Sequence, residues 1–151
     1  MLANESRFLL TIVFEEAPHT YFAITDISDI AISGLAGATY IDKTDAARRK
    51  QTAELVTITA ETDGVYLDTP GRCVIEDRGW RRRVVVEKEG AASTVVWNPW
   101  AEKAAAMADL GDPAWRGMAC VEAGNIADNE VLLAPNGEHQ MSTAIFVDTK
   151  A

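Results

Sequence analysis

Basic residues are scarce in this chain: 14 Lys and Arg stand against 23 Asp and Glu, for a formal charge of −9. A nucleic-acid binder or a protein of anionic membrane surfaces needs the opposite balance, so neither partner is expected. Cysteine is scarcer still. Cys73 and Cys120 are the two present, spaced unlike a metal or redox pair, and they read as free, buried thiols in a reducing compartment. No apolar run approaches the roughly 18 residues of a transmembrane helix. The start, Met-Leu-Ala-Asn-Glu-Ser-Arg, lacks the basic and apolar regions of a signal peptide, and the expected location is cytoplasmic. A Gly-rich phosphate loop, zinc-ligand spacing and a nucleophile elbow are all missing. So are internal repeats, linkers and shifts of composition. The 151 residues therefore read as a single domain, 1–151.

What is present is apolar sequence in short pieces. At 48% hydrophobic the chain can build a core. Residues 8–14 (Phe-Leu-Leu-Thr-Ile-Val-Phe) form a continuous apolar run typical of a strand covered on both faces. Residues 19–25 resume as a strand, Asp26 to Asp29 make a turn with Asx chemistry, and 30–33 and 39–42 follow as strands. Residues 43–54 are polar and read as an exposed excursion. Residues 55–59 (Leu-Val-Thr-Ile-Thr) alternate as a half-buried strand. Further strands are expected at 65–67, at 73–75 paired with 83–86, at 131–133, and at 140–147 with Met141, Thr143, Ile145 and Val147 on one face. Residues 87–90 read as another hairpin turn. Ten or eleven short strands separated by turns rich in Gly, Pro and Asp favour an all-β antiparallel sandwich or barrel.

One stretch departs from that pattern. After the β-branched strand Thr94-Val-Val-Trp, Asn98 suits a helix N-cap and Pro99 the first helical position. An Ala-rich run to Leu110 is closed by Gly111 and Pro113, giving one short helix near 99–110. A second apolar strand then ends on Glu122. His19 and Glu122 would make an acid/base pair if they converged, but spacing cannot show convergence. Each also has a plain reading, as a structural strand-end histidine and as an acid facing water. Asp63 either bonds a polyol or makes ordinary Asp-Gly turn chemistry. The cations around Trp80, from Arg78 to Arg83, fit a solvated hairpin better than a nucleic-acid site on so acidic a chain. Trp97, Trp100 and Trp115 either stack on a sugar or anchor the helix to the core.

Several blocks together resemble the glucose-6-phosphate 1-epimerase (hexose-6-phosphate mutarotase) branch of the aldose 1-epimerase superfamily. They are Phe14-Glu-Glu-Ala-Pro-His19-Thr-Tyr-Phe, Tyr40-Ile-Asp-Lys43, Glu61-Thr-Asp63-Gly-Val-Tyr66, Val95-Val-Trp-Asn-Pro-Trp100 and Cys120-Val-Glu-Ala-Gly-Asn125. Their order and spacing run through nearly the whole chain, yet they cover only about the C-terminal half of that family's fold. The resemblance therefore implies a partial galactose-mutarotase-like β-sandwich: a fragment, a mis-called start or a deliberate truncation. It implies interconversion of the α and β anomers of a hexose 6-phosphate, with His19 and Glu122 catalytic and Asp63 binding substrate. It implies no metal and no organic cofactor. Pro18 and Gly64 depart from the family, which commonly has Leu before the histidine and a basic residue after the aspartate. A half-fold is also expected to turn over weakly, to serve as a non-catalytic carbohydrate-binding module, or to lack a stable function. Exposed sheet edges would invite self-association.

Overall fold

The structure is a computed structural model and describes residues 1–4, 10–111 and 113–149. Among the described residues, fourteen strands run in chain order. They are β1 (Leu2–Ala3), β2 (Ile12–Phe14), β3 (Tyr21–Ala23), β4 (Ile30–Ser33), β5 (Thr39–Asp42), β6 (Arg48–Gln51) and β7 (Thr62–Tyr66). After these come β8 (Arg72–Asp77), β9 (Arg82–Glu89), β10 (Ser93–Asn98), β11 (Met118–Gly124), β12 (Val131–Leu133), β13 (Glu138–His139) and β14 (Ser142–Asp148). The one α-helix among the described residues, α1 (Trp100–Ala106), and a 3-10 turn at Ala114–Gly117 lie between β10 and β11. Every strand pairing is antiparallel.

Two sheets face each other, six strands in the order β3-β11-β10-β7-β5-β6 and four in the order β14-β9-β8-β4. Alternation along each strand sends one set of side chains between the sheets. Phe22, Tyr66, Val96 and Val121 meet Ile32, Ile75, Val84 and Val86 there, in the main core. Two ribbons, β1–β13 and β2–β12, complete the described strands. This is the antiparallel β-sandwich with one short helix that the strand pattern predicts.

Several local expectations are corrected. The helix stops at Ala106, where Met107 turns extended and its N–H closes on the Ala104 carbonyl. Ala-rich propensity is worth little per residue against tertiary demands. The polar excursion contains β6, whose Lys50 Nζ reaches Asp42 at 2.7 Å across the ladder. A strand held by cross-strand ion pairs carries no apolar alternation to read. Residues 55–59 bury Val56 and Ile58 but touch a sheet only through the single Val56–Ile32 bridge. Residues 87–90 are no hairpin: β9 belongs to the four-stranded sheet and β10 to the six-stranded one. The crossing needs Gly90, at φ +68, where an added Cβ would sit 2.1 Å from the Gln140 carbonyl oxygen. In the apolar run 8–14, Phe8 and Leu9 lie outside the described residues, and Ile12 and Val13 of β2 are exposed rather than covered.

Candidate active site

The site is built on the face of the six-stranded sheet turned away from the main core. Register fixes who shares that face. Asp63 on β7 lies opposite Trp97 on β10, Trp97 opposite Cys120 on β11, and Cys120 opposite Tyr21 on β3. Residues directly opposite point the same way, so these four side chains form one row across four strands. Two residues along each strand runs a second row, Val65, Val95 and Glu122. Lys43 extends the first row: its N–H donates to the Asp63 carbonyl at 2.8 Å, continuing the β5–β7 ladder.

Glu122 is therefore not at a strand end. It sits inside β11, which continues through Ala123 and Gly124, and its side chain is 7% exposed. His19 comes from the segment just before β3 and is half exposed. Its Nδ1 lies 2.6 Å from Glu122 Oε1. Two aromatics fix the ring: Tyr21 stacks on it at 4.6 Å and 23°, and Trp97 meets it edge-on at 5.4 Å. The backbone leading to His19 is pinned to the far end of β11, where Glu16 and Asn125 exchange two backbone hydrogen bonds of 2.8 and 3.1 Å. Asn125 Nδ2 also donates to Glu16 Oε1, and His139 Nε2 lies 2.5 Å from the same oxygen. With Pro18 in place, the imidazole still reaches the carboxylate.

The stretch between β10 and β11 sets the height of Glu122. Asn98 is fully buried. Its Nδ2 donates to the carbonyls of Trp115 and Met118, both at 2.9 Å, while its Oδ1 accepts from Trp100 N–H at 2.9 Å. One side chain thus ties the end of β10, the start of α1 and the start of β11. The three tryptophans divide by face. Trp100 and Trp115 pack on each other at 4.5 Å and anchor the helix, whereas Trp97 faces the site.

Electrostatics separates Glu122 from ordinary carboxylates. Burial pushes its pKa up to about 7, the like charge of Asp63 adds to the rise, and Lys43 opposes it. Burial also raises the Tyr21 hydroxyl and the Cys120 thiol, keeping both neutral. A cavity of about 340 Å³ opens beside the stacked Tyr40–Tyr66 pair and Asp42, and Asp63 contributes to its lining. The cations near Trp80 have no part in the site: Arg82 lies over the Trp80 ring and pairs with the buried Asp77.

The structure brings together the three residues singled out in sequence, with His19 and Glu122 in contact and Asp63 on the same face. Sequence reasoning missed Tyr21, Cys120 and Lys43 as neighbours of that pair. Strand alternation carried a usable signal for two of them, since Tyr21 follows His19 by two and Cys120 precedes Glu122 by two.

Residues 3–145 match the aldose 1-epimerase family, and the chain belongs to it. Within that family its relatives include a proposed glucose-6-phosphate 1-epimerase of Cenchrus ciliaris, 38% identical over 123 residues, which are 81% of this chain and 37% of that protein. A proposed glucose-6-phosphate 1-epimerase of Escherichia coli K12 is 32% identical over 124 residues, 82% of this chain and 42% of that one. The chain thus spans about two fifths of the length of these relatives. Among solved structures, a proposed mutarotase from Salmonella typhimurium superposes with a TM-score of 0.83 at 27% identity, over 91% of this chain and 46% of that one. A galactose mutarotase-like protein from Clostridium acetobutylicum shares the fold, with a TM-score of 0.59 at 15% identity over 97% of this chain and 50% of that one. The sandwich is galactose-mutarotase-like.

Proposed function

We propose that this face interconverts the anomers of a hexose, with Glu122 and His19 as the proton-transfer pair and Asp63 accepting hydrogen bonds from sugar hydroxyls. The observation that carries the reading is the 2.6 Å contact between a buried carboxyl held near pKa 7 and an imidazole open to solvent. A base poised near neutral pH is what ring opening needs.

The contact leaves each partner one free atom. Glu122 Oε2 takes the proton of the anomeric hydroxyl while His19 Nε2 gives one to the ring oxygen. The C1–O5 bond breaks, C1 becomes a carbonyl, and rotation about C1–C2 exposes its other face. Closure with the roles reversed delivers the other anomer. Closure itself returns the proton from Glu122 Oε2 to the new hydroxyl and brings the O5 proton back to His19 Nε2, while the Nδ1–Oε1 contact holds the two groups in place. Asp63 is opposite Trp97 in the ladder, and this register supports its role toward the hydroxyls of a sugar stacked on Trp97.

The phosphorylated substrate class is supported by the names of the relatives and by one cation. Lys43 is exposed, opposes the charge of Glu122, and makes no ion pair among the described residues. Arg49, on the neighbouring strand, is already taken by Asp128 through two contacts of 2.7 Å. A 6-phosphate is an anion at the end of the sugar remote from C1, and Lys43 is a cation at the end of the row remote from Tyr21.

Mutarotation followed by polarimetry at low buffer concentration tests the proposal. Glu122→Gln and His19→Asn should each lower the catalysed rate by about 10²–10⁴-fold, the size of a positioned proton transfer. Hexose-phosphate binding without any turnover in the unaltered chain would instead support a carbohydrate-binding module.

A further inference from the structure

We infer that His19, Cys120 and Glu122 form a capture site for a soft divalent transition-metal ion, Zn²⁺ foremost, which would occupy the same atoms as the proton-transfer pair. The three side chains offer an imidazole nitrogen, a thiol sulfur and a carboxylate oxygen, all within 4.8 Å of one another. They share one sheet face by register: Cys120 and Glu122 are two apart on β11, and Cys120 is opposite Tyr21, two residues beyond His19.

Tetrahedral zinc bonds of about 2.0–2.3 Å place neighbouring donors roughly 3.5 Å apart. The nitrogen and oxygen, now 2.6 Å apart, must open by about 1 Å, and the sulfur, within 4.8 Å of both, must close by up to about 1.3 Å. Side-chain rotation supplies both movements. Three protein donors leave a fourth position for water or a sugar oxygen, as in open zinc sites. A thiolate and an imidazole select against Mg²⁺ and Ca²⁺, which prefer all-oxygen shells.

Charge favours the capture as well. Cys120 and Glu122 are both buried, so a cation is what would offset their two anions there. A dication with one thiolate, one carboxylate and one neutral imidazole sums to zero, the charge a desolvated pocket accepts most readily. Asp63 adds negative potential beside the trio, and Lys43 opposes it. On binding, Cys120 releases its thiol proton to solvent, and Glu122 releases its own where protonated. His19, half exposed, gives the ion its entry. That the ion would block turnover rests on the proposed function; that it binds does not.

Titration of the metal-free chain with Co²⁺, followed by absorption, tests the site directly. One ion per chain is expected, with a thiolate-to-cobalt charge-transfer band in the near ultraviolet that Zn²⁺ displaces. Cys120→Ala should abolish the band and weaken Zn²⁺ binding at least about 100-fold, more than the 10–100-fold typical for loss of an outer partner. Cys73→Ala, remote and bonded to Thr94, should keep the band and shows that a lost thiol alone is not the cause. Binding without the band, equal binding by the chain and Cys120→Ala, or no saturable binding would each overturn the inference. In the activity arm, Zn²⁺ should inhibit mutarotation competitively with sugar. A chain that binds cobalt with the band but turns over no sugar would refute the proposed function and leave the metal site standing.

Discussion

Glu122 costs the fold stability in return for its chemistry. Its pKa rises from 4.5 to about 7 on folding, so between those values the folded chain holds a proton that the unfolded chain has released. Stability therefore falls as pH rises through that window and is flat above it. Each pKa unit corresponds to about 1.4 kcal/mol, which puts the ceiling of the penalty at about 3 kcal/mol above pH 7. Glutamine keeps the shape without the charge but loses part of the bond to His19, worth about 1 kcal/mol. Glu122→Gln should thus be more stable than the parent at pH 8, by about 2 kcal/mol, and no more stable below pH 4.5. Denaturant melts at the two pH values check this. A variant less stable than the parent at pH 8 would show that the carboxylate is well solvated or firmly paired.

At the scale of elements, Asn98 does more than the capping role its position suggests. Sequence rules make it the N-cap with Pro99 first in the helix; the helix instead starts at Trp100 with Pro99 at the cap position, and Asn98, the last residue of β10, accepts from the Trp100 N–H. The two bonds to Trp115 and Met118 carbonyls join segments that no local rule connects. Asn98→Ala leaves two buried carbonyls and the partly buried Trp100 N–H without that partner, at about 1 kcal/mol each. The expected loss is about 3 kcal/mol, read as a fall in Tm of about 6–12 °C for a chain of this size. A loss under about 1 kcal/mol would mean the strand–helix–strand unit is held chiefly by Trp100 on Trp115. The same unit shows what was legible. Strand 94–98 and the helix start could be read from β-branched residues, Asn98 and Pro99. The helix end could not, because Ala108 and Leu110 favour helix locally while the chain turns to lead into β11. Nor could β6, whose Arg49 and Lys50 are held by Asp128 and Asp42 rather than by apolar packing.

For the whole molecule, many short strands separated by turns rich in Gly, Pro and Asp, such as 73–75 paired with 83–86, made the sandwich class legible. The pairing of His19 with Glu122 was not, since they meet only through the β3–β11–β10 order of a long-range sheet. Resemblance supplied that link, and geometry supplied the distance. An apolar run likewise reports strand propensity and not what covers it. Ile12 and Val13 in β2 and Ile145, Phe146 and Val147 in β14 are each roughly half exposed. β14 is also the edge of its sheet, and Ser142 to Val147 include no charge to discourage pairing. Antiparallel self-pairing centred on Ile145 sets Asp148 against Ser142 and spares a like-charge contact. Concentration-dependent self-association in sedimentation velocity is the expected result, shifted to monomer by Ile145→Lys. A chain that stays monomeric at every concentration would show that this edge is closed in solution. None of the described helices is long and apolar enough to cross a membrane.

The proton-transfer pair is tested most directly by the pH dependence of catalysed mutarotation in the parent and in Glu122→Gln. With Glu122 as the base, the parent rate should climb as pH rises from 6 through a midpoint near 7. Glu122→Gln should stay at the spontaneous rate throughout. A variant that keeps the parent's rate and its rise near pH 7 would contradict the account.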